Sequence, residues 1–388
     1  MSEDKRKPAA PIPSVGADGE QPTSIDNNEI ISGDLGEINL EAKLSDEEFD
    51  EIQRRLNAMN LPGYLPTITM EELYEKVYQS KPPVIDGLLY PGVYLLAGAP
   101  KYGKSFLVAQ MAYHISTGQQ FWGRAVQKGP VLYFALEDPE ERLQWRMFRM
   151  FGVESTSDLH FAVCSDKLSK GLEEQMKRFL NEHPGTQLII IDTLKMVREG
   201  KDDSYSYAKD YDDIGKLKKF ADSHRICLLI VHHTRKQNSD DKFEMISGTN
   251  GLLGCADGAM ILHKKDRYDI NATLEVIGRD IAGQKLYLIH EQDHLTWQVE
   301  REDTEPYKQP PDPILISISN FVTEVHPQWY GSPSDLAALL NTDIKPNKLT
   351  KHLNVNASRL LEKHSIQYEC KARHEGRRIS LRFLPSKP

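Results

Sequence analysis

The stretch Gly98-Ala99-Pro100-Lys101-Tyr102-Gly103-Lys104-Ser105 has the G-x-x-x-x-G-K-S spacing of a polyphosphate cradle. Its glycines let the backbone curl so that successive N–H groups face an anion. A helix beginning at its end adds the positive pole of the helix dipole. Lys104 can reach the outer phosphates, and the Ser105 hydroxyl suits a magnesium ion. The flanks fit this reading, because residues 92–97 are an apolar run and 106–112 have helical character. Gly98, Ala99, Pro100, Lys101, Tyr102, Gly103, Lys104, Ser105 and Phe106 are therefore the candidate nucleotide-binding residues.

A cradle alone hydrolyses nothing. One carboxylate must steady the metal's water shell and another must polarise a water. Asp192 ends the apolar run 188–192, where a strand's carboxyl end opens into the crevice of an α/β sheet. It joins Ser105 as the candidate metal-holding pair. Glu137 and Asp138 end the run 130–137. Glu137 is the candidate base, on the expectation that its strand neighbours the strand before the cradle. Asp138, ahead of Pro139, is expected to cap the next helix. His232 and His233 end the run 226–231; adjacent strand residues face opposite ways, which argues against a metal pair. His232 is the candidate sensor of the terminal phosphate. The polar stretch 234–247 could carry Arg235, Lys236 and Lys242 to a nucleic acid or be a solvated loop, and the acid-rich stretch 200–213 reads as solvated surface.

The elements that must position these groups alternate from about residue 90 to 300. Strands are expected at 130–137, 159–163, 188–192 and 226–231, with helices at 139–151, 172–183 and 207–224. Runs 259–263, 273–277, 285–289 and 295–299 are close enough together to be antiparallel. Residues 1–45 read as a disordered acidic tail, and 46–88 as a small helical attachment. Within the attachment, Ser45 and Glu48 form a capping box ahead of Phe49, Ile52 and Leu56; a second helix starts near Thr69 and carries Leu73, Val77 and Tyr78. Such an attachment could pack on a neighbouring subunit. Residues 302–313 are a linker by composition. In 314–388, helices at 314–325, 334–340 and 347–364 precede strand-like arms at 366–371 and 379–383, a winged-helix order. Residues 345–388 hold eleven Lys and Arg against three Glu, the footprint of a nucleic-acid surface, with a solvated face or a winged helix for protein contacts as the alternatives.

The whole chain has 388 residues, 39% apolar and 27% charged, with a net charge of −9. That balance excludes a fibrous or disordered chain and a protein coated in nucleic acid throughout. Cys164, Cys227, Cys255 and Cys370 are far apart and read as buried free thiols in a reducing cytoplasm. No stretch reads as a membrane span or a secretory leader.

Taken in order, the cradle, the strand ending Leu136-Glu137-Asp138-Pro139, Asp192, His232-His233-Thr234 and Ser247-Gly248-Thr249 resemble the RecA-like ATPases of hexameric replicative helicases. They are most similar to the RepA-type ATPases of plasmids, phages and integrated mobile elements. The resemblance covers residues 90–300. It implies an α/β, RecA-like P-loop core with a mainly parallel sheet, using ATP and Mg²⁺, with Glu137 as base. It also implies a homo-oligomer, a hexameric ring on DNA, with single-stranded DNA through the core and duplex contact left to the C-terminal domain. In related rings a neighbour's basic residue completes the site from a Lys-x-Arg pair at a late strand's end. Here Arg279 stands in the Arg position and Ile277 in the Lys position, while Lys264, Lys265 and Arg267 are substitutes. Plasmid-type proteins place an Arg near residue 260, where this chain has Met260. A recombination mediator that remodels nucleoprotein without unwinding, and a small-molecule kinase, stay open as alternatives.

Overall fold

The computed structural model describes residues 63, 65–78, 81–199, 207–234, 243, 251–266, 268–304, 311–373 and 376–384. The acidic tail, the capping box at Ser45, the helix expected near 49–56, the basic residues at 235, 236 and 242, and Arg267 lie outside them. By contacts the chain divides into Met1–Met70 with Ala372–Gly376, and Glu71–Lys371 with Arg377–Pro388. The second unit holds the large sheet and the C-terminal core.

In chain order, helix α1 (Met70–Glu75) leads to strand β1 (Gly92–Gly98), helix α2 (Lys104–Thr117), β2 (Val131–Ala135), α3 (Glu140–Phe151) and β3 (Leu159–Ala162). Then come α4 (Leu172–Glu182), β4 (Leu188–Asp192), the short α5 (Leu194–Val197), α6 (Tyr207–His224) and β5 (Cys227–His233). After α7 (Gly251–Cys255), four strands follow: β6 (Gly258–His263), β7 (Asn271–Gly278), β8 (Gln284–His290) and β9 (Trp297–Thr304). One nine-stranded sheet takes all of these strands in the order β3-β2-β4-β5-β1-β6-β7-β8-β9. Strands β1 to β6 run parallel, and β6 to β9 are antiparallel hairpins.

The central strands are buried from end to end, as a sheet covered on both faces requires. On one face α2 and α3 pack with Tyr133, Ile190, Leu229 and Val231. On the other, α4 to α7 pack with Ile189, Ile191, Leu228 and Ile230. Strand order corrects one expectation: β2 pairs with β3 and β4, so β4 and β5 separate it from β1. Strand β9 also extends to Thr304, into the stretch read as linker.

The C-terminal residues form their own core, with Leu315, Leu336, Leu353, Leu360 and Ile379 at its centre. Its elements are α8 (Pro313–Phe321), β10 (Gln328–Gly331), α9 (Pro333–Leu339), α10 (Pro346–His364), β11 (Ile366–Arg373) and β12 (Gly376–Phe383). Strand β10 pairs antiparallel with β12 in a sheet ordered β10-β12-β11. The sequence pattern missed β10, which is four residues long and has one buried position.

Helix α1 docks on α10 of the same chain. Asn354, 2% exposed, donates to Tyr74 O (2.9 Å) and Glu75 O (3.1 Å) at the end of α1, and accepts from the Tyr368 hydroxyl (2.8 Å). Lys351 pairs with Glu71 (3.0 Å), and Arg377 with Glu75 (2.6 Å). Lys351 and Arg377, both counted in the basic stretch, thus face acids of α1. Asn354→Ala strands the Tyr368 hydroxyl and two carbonyls. It is expected to cost ~1–3 kcal/mol in urea unfolding and to expose the segment around Tyr78 to limited proteolysis.

Candidate active site

Lys104 Nζ is the centre of the site. It donates to Gly98 O (2.8 Å) and Ala99 O (3.0 Å), and lies 3.2 Å from His233 Nδ1. The loop curls because Lys101 (φ 69°) and Gly103 (φ 92°) take left-handed conformations ahead of α2. At Gly98 any Cβ would lie 2.4 Å from Leu262 O, so that close approach of backbones needs glycine. Burial pulls the Lys104 ammonium down to about 8, against the opposing pull of Asp192 and Glu137.

Around it opens a cavity of about 510 Å³ lined by Pro100, Lys101, Gly103, Ser105 and Phe106 of the loop. Glu137, Asp192 and His233 complete its polar wall. Gly98 and Ala99 contribute carbonyls to Lys104, and Tyr102 lies on the curl without lining the cavity. Asp192, 4% exposed, accepts from the Tyr133 hydroxyl (2.9 Å) and is hydrogen-bonded by Ser105. Burial outweighs those bonds and raises its pKa. A buried carboxylate beside a serine hydroxyl fits Mg²⁺, which takes few protein oxygens and keeps waters and phosphate oxygens.

Glu137 Oε1 accepts from the Thr193 hydroxyl (3.0 Å) and lies 3.9 Å from His233 Nε2. With Lys104 donating to Nδ1, the His233 proton belongs on Nε2, facing Glu137. Burial and Lys104 both lower the His233 pKa, so the ring is neutral near pH 7. Although its strand is not beside β1, Glu137 reaches the site because β2 and β4 end level, Ala135 opposite Asp192.

Of the two histidines, His233 lines the cavity, where His232 was expected. Register aligns Asp192 with Val231, and side chains alternate along β5, so His233 shares the face of Asp192. His232 turns to the other face, where burial and Arg198 lower its pKa to about 4. There Arg198 pairs with Asp210 (2.9 Å) and Asp213 (2.8 Å), so these two acids are buried ion partners rather than solvated surface. Asp138 caps nothing: it holds Arg142 (3.1 Å) and Arg146 (2.6 Å), while Pro139 stands at the N-cap. Cys164 is exposed rather than buried.

Four cavity residues carry no motif signal: Arg146, Lys264, His290 and Trp297. Arg146 is 8% exposed, lies over the Phe106 ring (5.1 Å), and its Nη1 has no hydrogen-bond partner among the described residues. An acceptor arriving in the cavity would satisfy it. Lys264, read as a substitute for a neighbour's basic residue, lines the cavity of its own chain. Arg279 is not among the lining residues. It follows β7 at the opposite edge of the sheet, with Asp257 Oδ1 at 3.4 Å and Gly254 O at 3.3 Å.

The sheet order and the phosphate loop give the chain a RecA-like P-loop core. Residues 64–239 match the family described as AAA domain. Similar solved structures include one described as an ATPase domain, 13% identical with a TM-score of 0.47, covering 66% of this chain and 99% of that one. Another is a DnaB-like replicative helicase described with its interactions with primase, 13% identical with a TM-score of 0.48, covering 65% and 71%. No curated protein matches the sequence. Among the described residues no helix is long and apolar enough to cross a membrane.

A bound polyphosphate must raise the Lys104 pKa, so the complex holds more protons than the free protein above about pH 8. ADP affinity is therefore expected to be flat near pH 7 and to fall by up to about tenfold per pH unit beyond 8. Titration calorimetry in two buffers of different ionisation heat should show proton uptake at pH 8.5.

Proposed function

We propose that the protein is a Mg²⁺-dependent, DNA-associated ATPase, a RepA-like replicative helicase of a mobile element that works in the cytoplasm as a ring. The observation that carries the reading is the convergence of Lys104, Ser105, Asp192, Glu137 and His233 on one cavity. Lys104 and the loop amides hold the phosphates, and Ser105 and Asp192 hold Mg²⁺. The metal supplies charge neutralisation on the phosphate oxygens. Glu137, oriented by Thr193, accepts the proton of the attacking water, and neutral His233 senses the terminal phosphate from between Lys104 and Glu137.

DNA contact is supported by the C-terminal helix–strand–helix–helix–strand–strand order, that of a winged helix, and by the exposed Lys345, Lys348, Lys363 and Arg382. Arg279 is the candidate residue for a neighbour's site, being exposed and outside its own cavity.

Lys104→Ala is expected to abolish nucleotide binding. Glu137→Gln should bind as the parent does and lose about 10²–10⁴ in turnover. Equal loss of binding in both would contradict the division of roles. Inactive Arg279→Ala subunits mixed with Glu137→Gln subunits should regain part of the activity, and no rescue at any ratio argues against a shared site. ATPase stimulation by single-stranded DNA excludes the small-molecule kinase. Displacement of a strand from forked DNA separates unwinding from remodelling.

A further inference from the structure

Trp297 opens β9, 194 residues from Gly103, yet it touches the phosphate loop directly. Its side chain is fully buried and lines the cavity. The indole Nε1–H donates to Gly103 O (3.1 Å), the carbonyl that also accepts the Leu107 N–H (3.1 Å) in the first turn of α2. A Cβ on Gly103 would meet Trp297 Cζ2 at 2.8 Å, so ring and loop are in van der Waals contact at the left-handed turn.

The tryptophan is itself fixed on both sides of its backbone. Its N–H donates to Gln110 Oε1 (2.8 Å), and its carbonyl accepts from Gln110 Nε2 (3.1 Å) and Trp122 Nε1 (2.7 Å). Gln110 belongs to α2, the helix that the loop feeds, so a closed circuit runs from loop to helix to β9 and back. On the cavity side, His290 lies 4.7 Å and Lys264 Nζ 5.2 Å from the indole ring.

We propose that Trp297 is a positioning residue for the phosphate loop, holding the Gly103 peptide in the turn that aims the following amides at a polyphosphate. The inference rests on the nucleotide-site reading. A loop held in its bound shape before the ligand arrives spares the ordering cost on binding. Trp297 acts through Gly103 and needs no contact with the nucleotide.

Full-length Trp297→Phe keeps an aromatic ring and loses the indole N–H. Without nucleotide it is expected to melt within a few degrees of the parent, and to bind ADP about fivefold to tenfold more weakly. A residue serving only stability would lower the melting temperature and leave affinity alone. ADP binding within about twofold of the parent overturns the inference. Should that variant not fold, the parent labelled with 5-fluorotryptophan carries the test. The Trp297 fluorine resonance is expected to be one narrow line with and without ADP, and a resonance broadened or split without ADP that narrows at saturating ADP overturns the inference. Parent protein that binds no ADP at all removes the nucleotide-site reading first, and the inference with it.

Discussion

The architecture around the cavity answers one problem, a lysine ammonium taken out of water. An ionised group in the interior is tolerated only where dipoles and counter-charges replace its hydration. Lys104 finds two carbonyls of its own loop, a neutral imidazole, and two carboxylates within electrostatic reach. Burial still wins, leaving the ammonium less basic than in water. A group in that condition gains more from an arriving polyanion than a solvated lysine could. The same dryness raises the Asp192 carboxyl, which a divalent cation would reverse. Burial shifts both groups against their charged forms, and a metal–polyphosphate complex would supply what both lack.

Parallel strands make this arrangement possible because their carboxyl ends collect on one edge. That edge was legible in the sequence: the apolar runs ending at Ala97, Asp192 and the two histidines announce buried strands, and the glycine spacing announces the cradle. Strand order was not legible. The crossover through α2 places β2 three positions from β1, with β4 and β5 between them, and no local pattern encodes which neighbour a strand chooses. Glu137 survived the error since level strand ends, rather than adjacency, bring it to the cavity. The choice between His232 and His233 hung on register, and a shift of one residue reverses every side chain. Arg146 and Trp297 left no trace in spacing, because packing between distant segments brings them to the loop.

Charge counted along a chain also differs from charge presented to a partner. The C-terminal stretch reads as strongly basic, yet Lys351 and Arg377 face glutamates of α1. Conversely, Asp210 and Asp213 belong to a stretch of acids that looks solvated, and both are buried against Arg198. Arg198 lies just beyond α5, which follows Asp192, and it bears on His232 at the end of β5. The back of the sheet thus ties the segment after Asp192 to the strand that carries His233. A displacement of either strand end would be felt by the other through this ion cluster.

Both edges of the sheet matter if neighbouring subunits share a site. The cradle opens at the carboxyl edge, while Arg279 follows β7 at the amino edge, where Gly278 aligns with Gly258 at the start of β6. A two-fold pairing could join the two edges only reciprocally, each subunit serving the other, which ends at a dimer. A head-to-tail contact serves each site from one neighbour, and closes into a ring or runs on as a filament. In the single subunit Arg279 rests near Asp257, whose carboxylate also accepts from Lys218 and the Val93 N–H. Asp257 therefore keeps its other partners if Arg279 swings away. An exposed arginine weakly held by a carboxylate that does not depend on it can exchange that partner for a phosphate at small cost, which is the electrostatic condition a residue serving another subunit must meet.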